Sequence, residues 1–128
     1  MRPVLRVQAA LALVFAITVT STASIASGNE AVETRPAYVL SEIEPHDREA
    51  YLEYLGEVLP IIEKYGGRVV INPFQSANVI EGPALSGNIA LIEFPSSEAR
   101  SAFWNSPEYQ PWKARRQATA TSRIIHID

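Results

Sequence analysis

The chain has 128 residues, 11 basic and 14 acidic, with no cysteine and 47% hydrophobic content. Its formal charge of -3 and the lack of any long basic run argue against a phosphate-backbone grip, so nucleic acid is not an expected partner. The length suits one domain beyond the N-terminal segment, and disulfide stapling is excluded.

Arg2 and Arg6 precede an unbroken apolar run, Ala9 to Ile17, and no charge follows until Glu30. Ser24-Ile25-Ala26 places small residues where a signal peptidase reads. This pattern predicts a signal peptide over residues 1–26 and an exported protein, in a bacterial periplasm or secreted. An uncleaved anchor is the competing reading. The apolar run is nine residues, against about 20 for a bilayer span, so no stable membrane insertion is expected after cleavage. The processed chain would carry a formal charge of -5. Residues 27–36 are polar and small and read as a flexible arm, leaving 37–128 as the folded domain.

Ala37–Ile43 is rich in β-branched and aromatic residues and predicts a first strand, closed by Glu44-Pro45. Asp47 is a candidate helix N-cap. Ala50, Tyr51, Tyr54, Leu55, Val58, Leu59 and Ile62 then recur at helical spacing. Pro60 should kink this helix or open a new turn, and Gly66-Gly67 should end it. Arg68–Ile71 predicts a second strand, stopped by Asn72-Pro73. Ala77–Glu81 reads as a short strand extension or an arm.

Asn88–Phe94 predicts a third strand. Ser96 or Ser97 should cap a second helix from about Glu98 to Trp104. Pro107 suits the first turn of a further short helix bearing Tyr109, Trp112 and Arg116. Arg123–Ile127 predicts the last strand. The order β-α-β-β-α-β implies an α+β, ferredoxin-like domain, with both helical layers on one face of a four-stranded antiparallel sheet.

Such a sheet keeps a second face. Strand alternation assigns Tyr38, Leu40, Ile89, Leu91 and Ile124 to it, an apolar set that a homodimer through the sheet face would cover. The same alternation assigns Glu42, Glu93 and His126 to that face. Two carboxylates and an imidazole meeting there could move protons or hold a metal, making them the catalytic candidates. Strand-end exposure or a dimer contact explains them equally. No metal-ligand spacing and no cofactor motif is present. With two histidines in the chain, a serine triad is not expected.

Tyr51, Tyr54 and Tyr65, with Phe103, Trp104, Tyr109 and Trp112, could wall an apolar pocket between helices and sheet. Core packing accounts for most of them as well. Arg116 and Arg123 could meet an anionic group, and His46 sits in an acid-rich turn. Ligand binding through such a pocket requires a mostly apolar cavity of about 300 Å³ or more.

Seven segments in order carry a family resemblance. They are Ala37-Tyr38-Val39, Tyr51–Tyr54, Glu63–Arg68, Glu81-Gly82, Ile92–Ser96, Phe103–Tyr109 and Ala120–Arg123. Together they resemble the domain-of-unknown-function 1330 family, within the dimeric α+β barrel superfamily. The resemblance implies a ferredoxin-like fold whose sheets pair into a dimeric α+β barrel. It implies no activity, since distant relatives range from cofactor-independent monooxygenases and muconolactone isomerases to haem-handling proteins. The family pattern draws attention to Tyr54, Arg116, Ser122 and Arg123. The expected role is binding of a small organic ligand, with Tyr54, Trp112, Arg116, Ser122, Arg123 and His46 as candidate contacts. A cofactor-independent monooxygenase or isomerase, and a structural or interaction protein, are the alternatives.

Overall fold

A computed structural model describes residues 34–128, and the expected signal peptide lies outside them. The elements run β1 (Ala37–Pro45), α1 (Arg48–Lys64), β2 (Arg68–Ile71), β3 (Asn88–Phe94), α2 (Ser97–Trp104), α3 (Gln110–Thr119) and β4 (Ala120–Ile127). The antiparallel sheet has the order β2-β3-β1-β4, the ferredoxin-like arrangement. It is open. β2 and β4 are its two edges, and four strands are too few to close when about eight are needed to enclose a packed interior. The barrel implied by the family resemblance is therefore not formed by this chain.

Local chemistry explains the boundaries. The Asp47 carboxylate accepts the Ala50 amide at 3.1 Å and starts α1. Ala50, Tyr51, Tyr54, Val58 and Ile62 form its buried stripe. Pro60 lies inside one continuous helix and starts no new one. It points away from the core, where a missing amide donor is tolerated. A Schellman motif closes α1, with Gly66 N–H donating to Glu63 O and Gly67 N–H to Ile62 O, each at 2.9 Å. Gly66 takes φ 79°, the left-handed region this cap requires.

Ser96 caps α2 by accepting the Ala99 amide. Pro111, not Pro107, occupies the first turn of α3, and Pro107 lies in the preceding turn. Residues 77–81 form no strand. They belong to an irregular exposed connection between β2 and β3. β4 begins three residues earlier than Arg123, because Ala120 pairs with Pro45 at the end of β1.

The helices cover one face of the sheet. Val39, Ile43, Phe94, Phe103, Tyr109, Tyr51, Tyr54, Val58 and Ile62 form the core between the layers. Phe94 and Phe103 stack with ring centroids 5.3 Å apart, and Tyr109 lies 4.5 Å from Phe103. Ser41 also faces the helices and is buried; its hydroxyl donates to Ala90 O. Such a polar group is tolerated inside because it finds an acceptor.

The other face is uncovered by this chain. Cross-strand pairing aligns Ile71 with Leu91, Leu91 with Leu40, and Leu40 with Ile125. One apolar row therefore crosses all four strands. An irregularity between Val69 and Ile71 rotates Ile71 onto this face while Val69 stays on the helix side. Two further rows flank it, Arg68–Glu93–Tyr38–Ile127 and Ile89–Glu42–Arg123. Ile125 and Ile127 take the places that alternation assigned to Ile124 and His126, which face the helices.

Candidate functional site

A cavity of about 230 Å³ lies between α1, the turn before α3 and the helix-covered face of the sheet. Val39, Ile43, Ala90, Ile92 and Ile124 form its floor on the sheet side. Tyr51, Tyr54, Leu55, Val58, Leu59 and Ile62 of α1 form one wall, with Phe103, Trp104 and Tyr109 at the far end. Asn72, Pro73 and Phe74 from the β2–β3 connection, with Val69, line the opposite end. That end is the mouth. Leu59 is 41% exposed, Val69 38% and Phe74 64%, whereas Tyr54, Phe103 and Tyr109 are buried.

The wall carries no charged side chain. Its polar side chains are Ser41, Asn72, the Trp104 indole and three phenols. The volume falls short of the expected 300 Å³, which restricts any occupant to a small molecule. An apolar cavity of about 150 Å³ accepts benzene, so one or two fused rings are the appropriate scale.

The buried end is organised around hydroxyls. Tyr54 Oη lies 3.2 Å from Tyr109 Oη. The Arg116 guanidinium lies against Tyr54, and its Nη1 donates to Ser122 Oγ. Arg116 is 3% exposed and is in none of the ion pairs among the described residues. Its Nε has no hydrogen-bond partner there. Burial, reinforced by Tyr109, pushes the Tyr54 phenol well above its ordinary range, and Arg116 only partly opposes this. Tyr54 is therefore a neutral hydrogen-bonding group at physiological pH. Burial also raises the Tyr51 phenol, whose oxygen is enclosed without a partner among the described residues.

Three of the ligand-contact candidates, Tyr54, Arg116 and Ser122, thus meet. The fold brings them together because the last turn of α3 feeds directly into β4, whose Ser122 faces the helices opposite Ile43. Trp112 packs against the rim of the core and is not in the cavity wall. Arg123 is exposed on the uncovered sheet face, aligned with Glu42. His46 is exposed, with Nε2 2.8 Å from Thr121 Oγ1.

The Glu42, Glu93 and His126 trio does not assemble. Glu42 and Glu93 share the uncovered face but stand in different rows with their own partners. Glu42 accepts from the backbone and hydroxyl of Ser86 at 2.6 and 2.7 Å, which lowers its carboxyl from the usual range. Glu93 accepts from Arg68 Nε at 2.8 Å, with the same effect on its carboxyl. His126 is on the opposite face, edge-on to Trp104 at 4.9 Å. The register with β1 is the physical reason: Ser122, Ile124 and His126 pair with Ile43, Ser41 and Val39, the helix-facing residues of β1. Among the described residues no group of three or more His, Cys, Asp or Glu is placed to hold a metal ion.

Tyr51, Tyr109 and Phe74 line the cavity without being among the candidate ligand contacts. The first two were visible as aromatics beside the expected pocket. Phe74 sits in an irregular connection, where sequence carries no periodic signal.

Fold and cavity together define a ferredoxin-like α+β domain with a small apolar pocket between its layers. The chain belongs to the family described as Domain of unknown function (DUF1330), whose model matches residues 36–128. A similar solved structure is RPA0582 from Rhodopseudomonas palustris, a protein of unknown function, with 26% identity and a TM-score of 0.59, spanning 72% of this chain and 80% of that one. SnoaB from Streptomyces nogalater, a cofactor-independent oxygenase, has 10% identity and a TM-score of 0.53, spanning 73% of this chain and 91% of its own. A dimeric ferredoxin-like protein of unknown function from Jannaschia sp. CCS1 has 15% identity and a TM-score of 0.51, spanning 73% and 99%. At these identities the last two show a shared fold alone. No functionally curated protein is significantly similar to the chain. Among the described residues no helix is long and apolar enough to cross a membrane.

Proposed function

We propose that this protein binds a small, largely apolar organic molecule in the cavity beside α1. The observation that carries this reading is the cavity itself, about 230 Å³ with an uncharged wall and an apolar mouth. A packed interior normally leaves few voids larger than a water molecule. Transfer of an aromatic ring from water into this space is favoured by the area it buries.

The wall offers no carboxylate, imidazole or thiol. Its phenols are the proton-transfer groups present, and burial raises Tyr51 and Tyr54 so that neither is a ready base at neutral pH. The geometry therefore favours binding over catalysis, notwithstanding the fold shared with SnoaB.

A second copy of the chain is the proposed cover for the Ile71–Leu91–Leu40–Ile125 row. Full burial of such side chains is worth about 1.5–3 kcal/mol each. The dimeric state of the Jannaschia protein supports this reading. The leader pattern adds a proposed compartment, outside the cytoplasm. N-terminal sequencing of protein from its native cell should then begin near Ser27.

The binding reading is tested by heteronuclear NMR titration with toluene, phenol, indole and naphthalene. Saturable shifts at Val58, Ala90, Ile92 and Ile124 are expected for the single rings and indole. Shifts confined to surface residues for all four would overturn it.

A further inference from the structure

The hydroxyl pair at the buried end of the cavity has one proton too many. Each phenol carries one O–H donor and two acceptor lone pairs. At 3.2 Å one of Tyr54 and Tyr109 donates to the other, and the remaining proton finds no acceptor among the described residues. Reversing the direction moves the surplus from one ring to the other without removing it. Arg116 compounds the imbalance. A guanidinium has five donors and no acceptor, and this one satisfies Ser122 while its Nε stays unpartnered. It is buried with no carboxylate beside it among the described residues, so the surroundings lack negative charge as well as lone pairs.

A surplus donor at one end of an otherwise apolar space, with the buried Arg116 charge behind Tyr54 and outside the wall, defines what fits there. The missing element is an oxygen with free lone pairs, attached to a flat apolar body. We propose that the ligand of this cavity is a one- or two-ring aromatic molecule bearing a carbonyl or carboxylate oxygen, which accepts the unpaired proton of the Tyr54–Tyr109 hydroxyl pair. This rests on the binding reading above and adds the chemical class and orientation of the ligand. The oxygen points to the buried end and the ring toward the mouth at Phe74. A carboxylate gains from the nearby Arg116 charge but sheds more water on entry, whereas a neutral carbonyl gains less and sheds less. Both use the same donor.

The test is isothermal titration of the intact protein with three probes of similar shape, ethylbenzene, acetophenone and benzoate. At least one oxygen-bearing probe should bind about three- to ten-fold tighter than ethylbenzene, the range for one hydrogen bond. The double variant Tyr54→Phe/Tyr109→Phe should remove most of that preference and leave ethylbenzene affinity within about two-fold, whereas either single variant keeps one hydroxyl proton without an acceptor and retains a preference. Tighter binding of benzoate assigns an anionic ligand, and tighter binding of acetophenone assigns a neutral carbonyl compound. Ethylbenzene binding as tightly as both oxygenated probes to the unaltered protein overturns the proposal while the binding reading stands. A preference that survives the double variant overturns it too. Failure of all three probes to bind removes the binding reading, and the ligand class falls with it.

Discussion

The hydroxyl of Tyr54 on α1 lies 3.2 Å from that of Tyr109, in the turn that leads into α3. This contact joins two elements 55 residues apart and sets the inner end of the cavity. Replacing Tyr54 with Phe keeps the ring and deletes the link. It also leaves Arg116 with one neighbour fewer in a buried site. Tyr54→Phe is expected to lower the free energy of unfolding by about 1–2 kcal/mol. Urea denaturation of the variant, with an unchanged slope, checks this.

Ala90 on the cavity floor offers the simplest way to close the space. Ala90→Leu adds three carbons into a void of about 230 Å³, so little overpacking is expected. Stability should hold or rise, while affinity for single-ring aromatics falls at least about ten-fold, the effect of roughly 1.4 kcal/mol of lost contact. Titration calorimetry and thermal melts on the same preparation measure both.

Two glycines should respond with opposite sign. A Cβ on Gly67 would lie 2.6 Å from Ile62 Cγ2 and 2.7 Å from Phe94 Cε1. Phe94 is fully buried and cannot yield without disturbing Phe103. Gly67→Ala should destabilise by about 1–3 kcal/mol. A Cβ on Gly56, in α1, meets nothing within 4 Å. Gly56→Ala should stabilise by about 0.5–1 kcal/mol through reduced freedom of the unfolded chain. Equilibrium unfolding of both variants decides.

Much of this architecture is legible in the residues themselves. Asp47, Ser96 and Gly66-Gly67 mark helix ends by chemistry that acts locally, and the stripe from Ala50 to Ile62 reveals the buried side of α1. Tyr54, Arg116 and Ser122 were brought together as candidates by the family pattern, not by any local signal. The faces of β4 were not legible. Ile124, Ile125 and Ile127 make both alternations apolar, and only pairing with β1 from Ala120 onward decides which set meets the helices. The Glu42–Glu93–His126 grouping failed for that reason. The four strands of the sheet were legible, whereas the barrel was implied by the family resemblance alone and is not formed.

His126 should report acidification. Burial, and secondarily Arg100, lowers its imidazole below the ordinary 6.5. The folded state therefore binds this proton less readily than the unfolded state. Stability contributed by neutral His126 is complete above about pH 6.5 and is lost as pH falls through the lower folded value. The ring stands edge-on to Trp104 at 4.9 Å, so Trp104 emission should change over the same interval. A His126→Gln variant should show neither the stability slope nor the emission change between pH 6.5 and the onset of carboxylate titration.

The uncovered sheet face makes its own prediction. Leu40 is central in the four-residue apolar row, between Leu91 and Ile125. Leu40→Lys would place a charge where a second copy is proposed to pack. Sedimentation should shift from dimer to monomer at micromolar concentration while far-ultraviolet circular dichroism stays unchanged. A single-subunit sedimentation coefficient for the unaltered protein would refute the proposed cover.

The most direct measurement is a crystal of the protein soaked with 4-iodoacetophenone, with iodine located by anomalous scattering. The account predicts one strong peak inside the cavity toward Phe74, with the carbonyl oxygen within hydrogen-bonding reach of Tyr109 or Tyr54. Iodine found only on the exterior, with the space beside Val58 and Ile92 closed or empty, would contradict it.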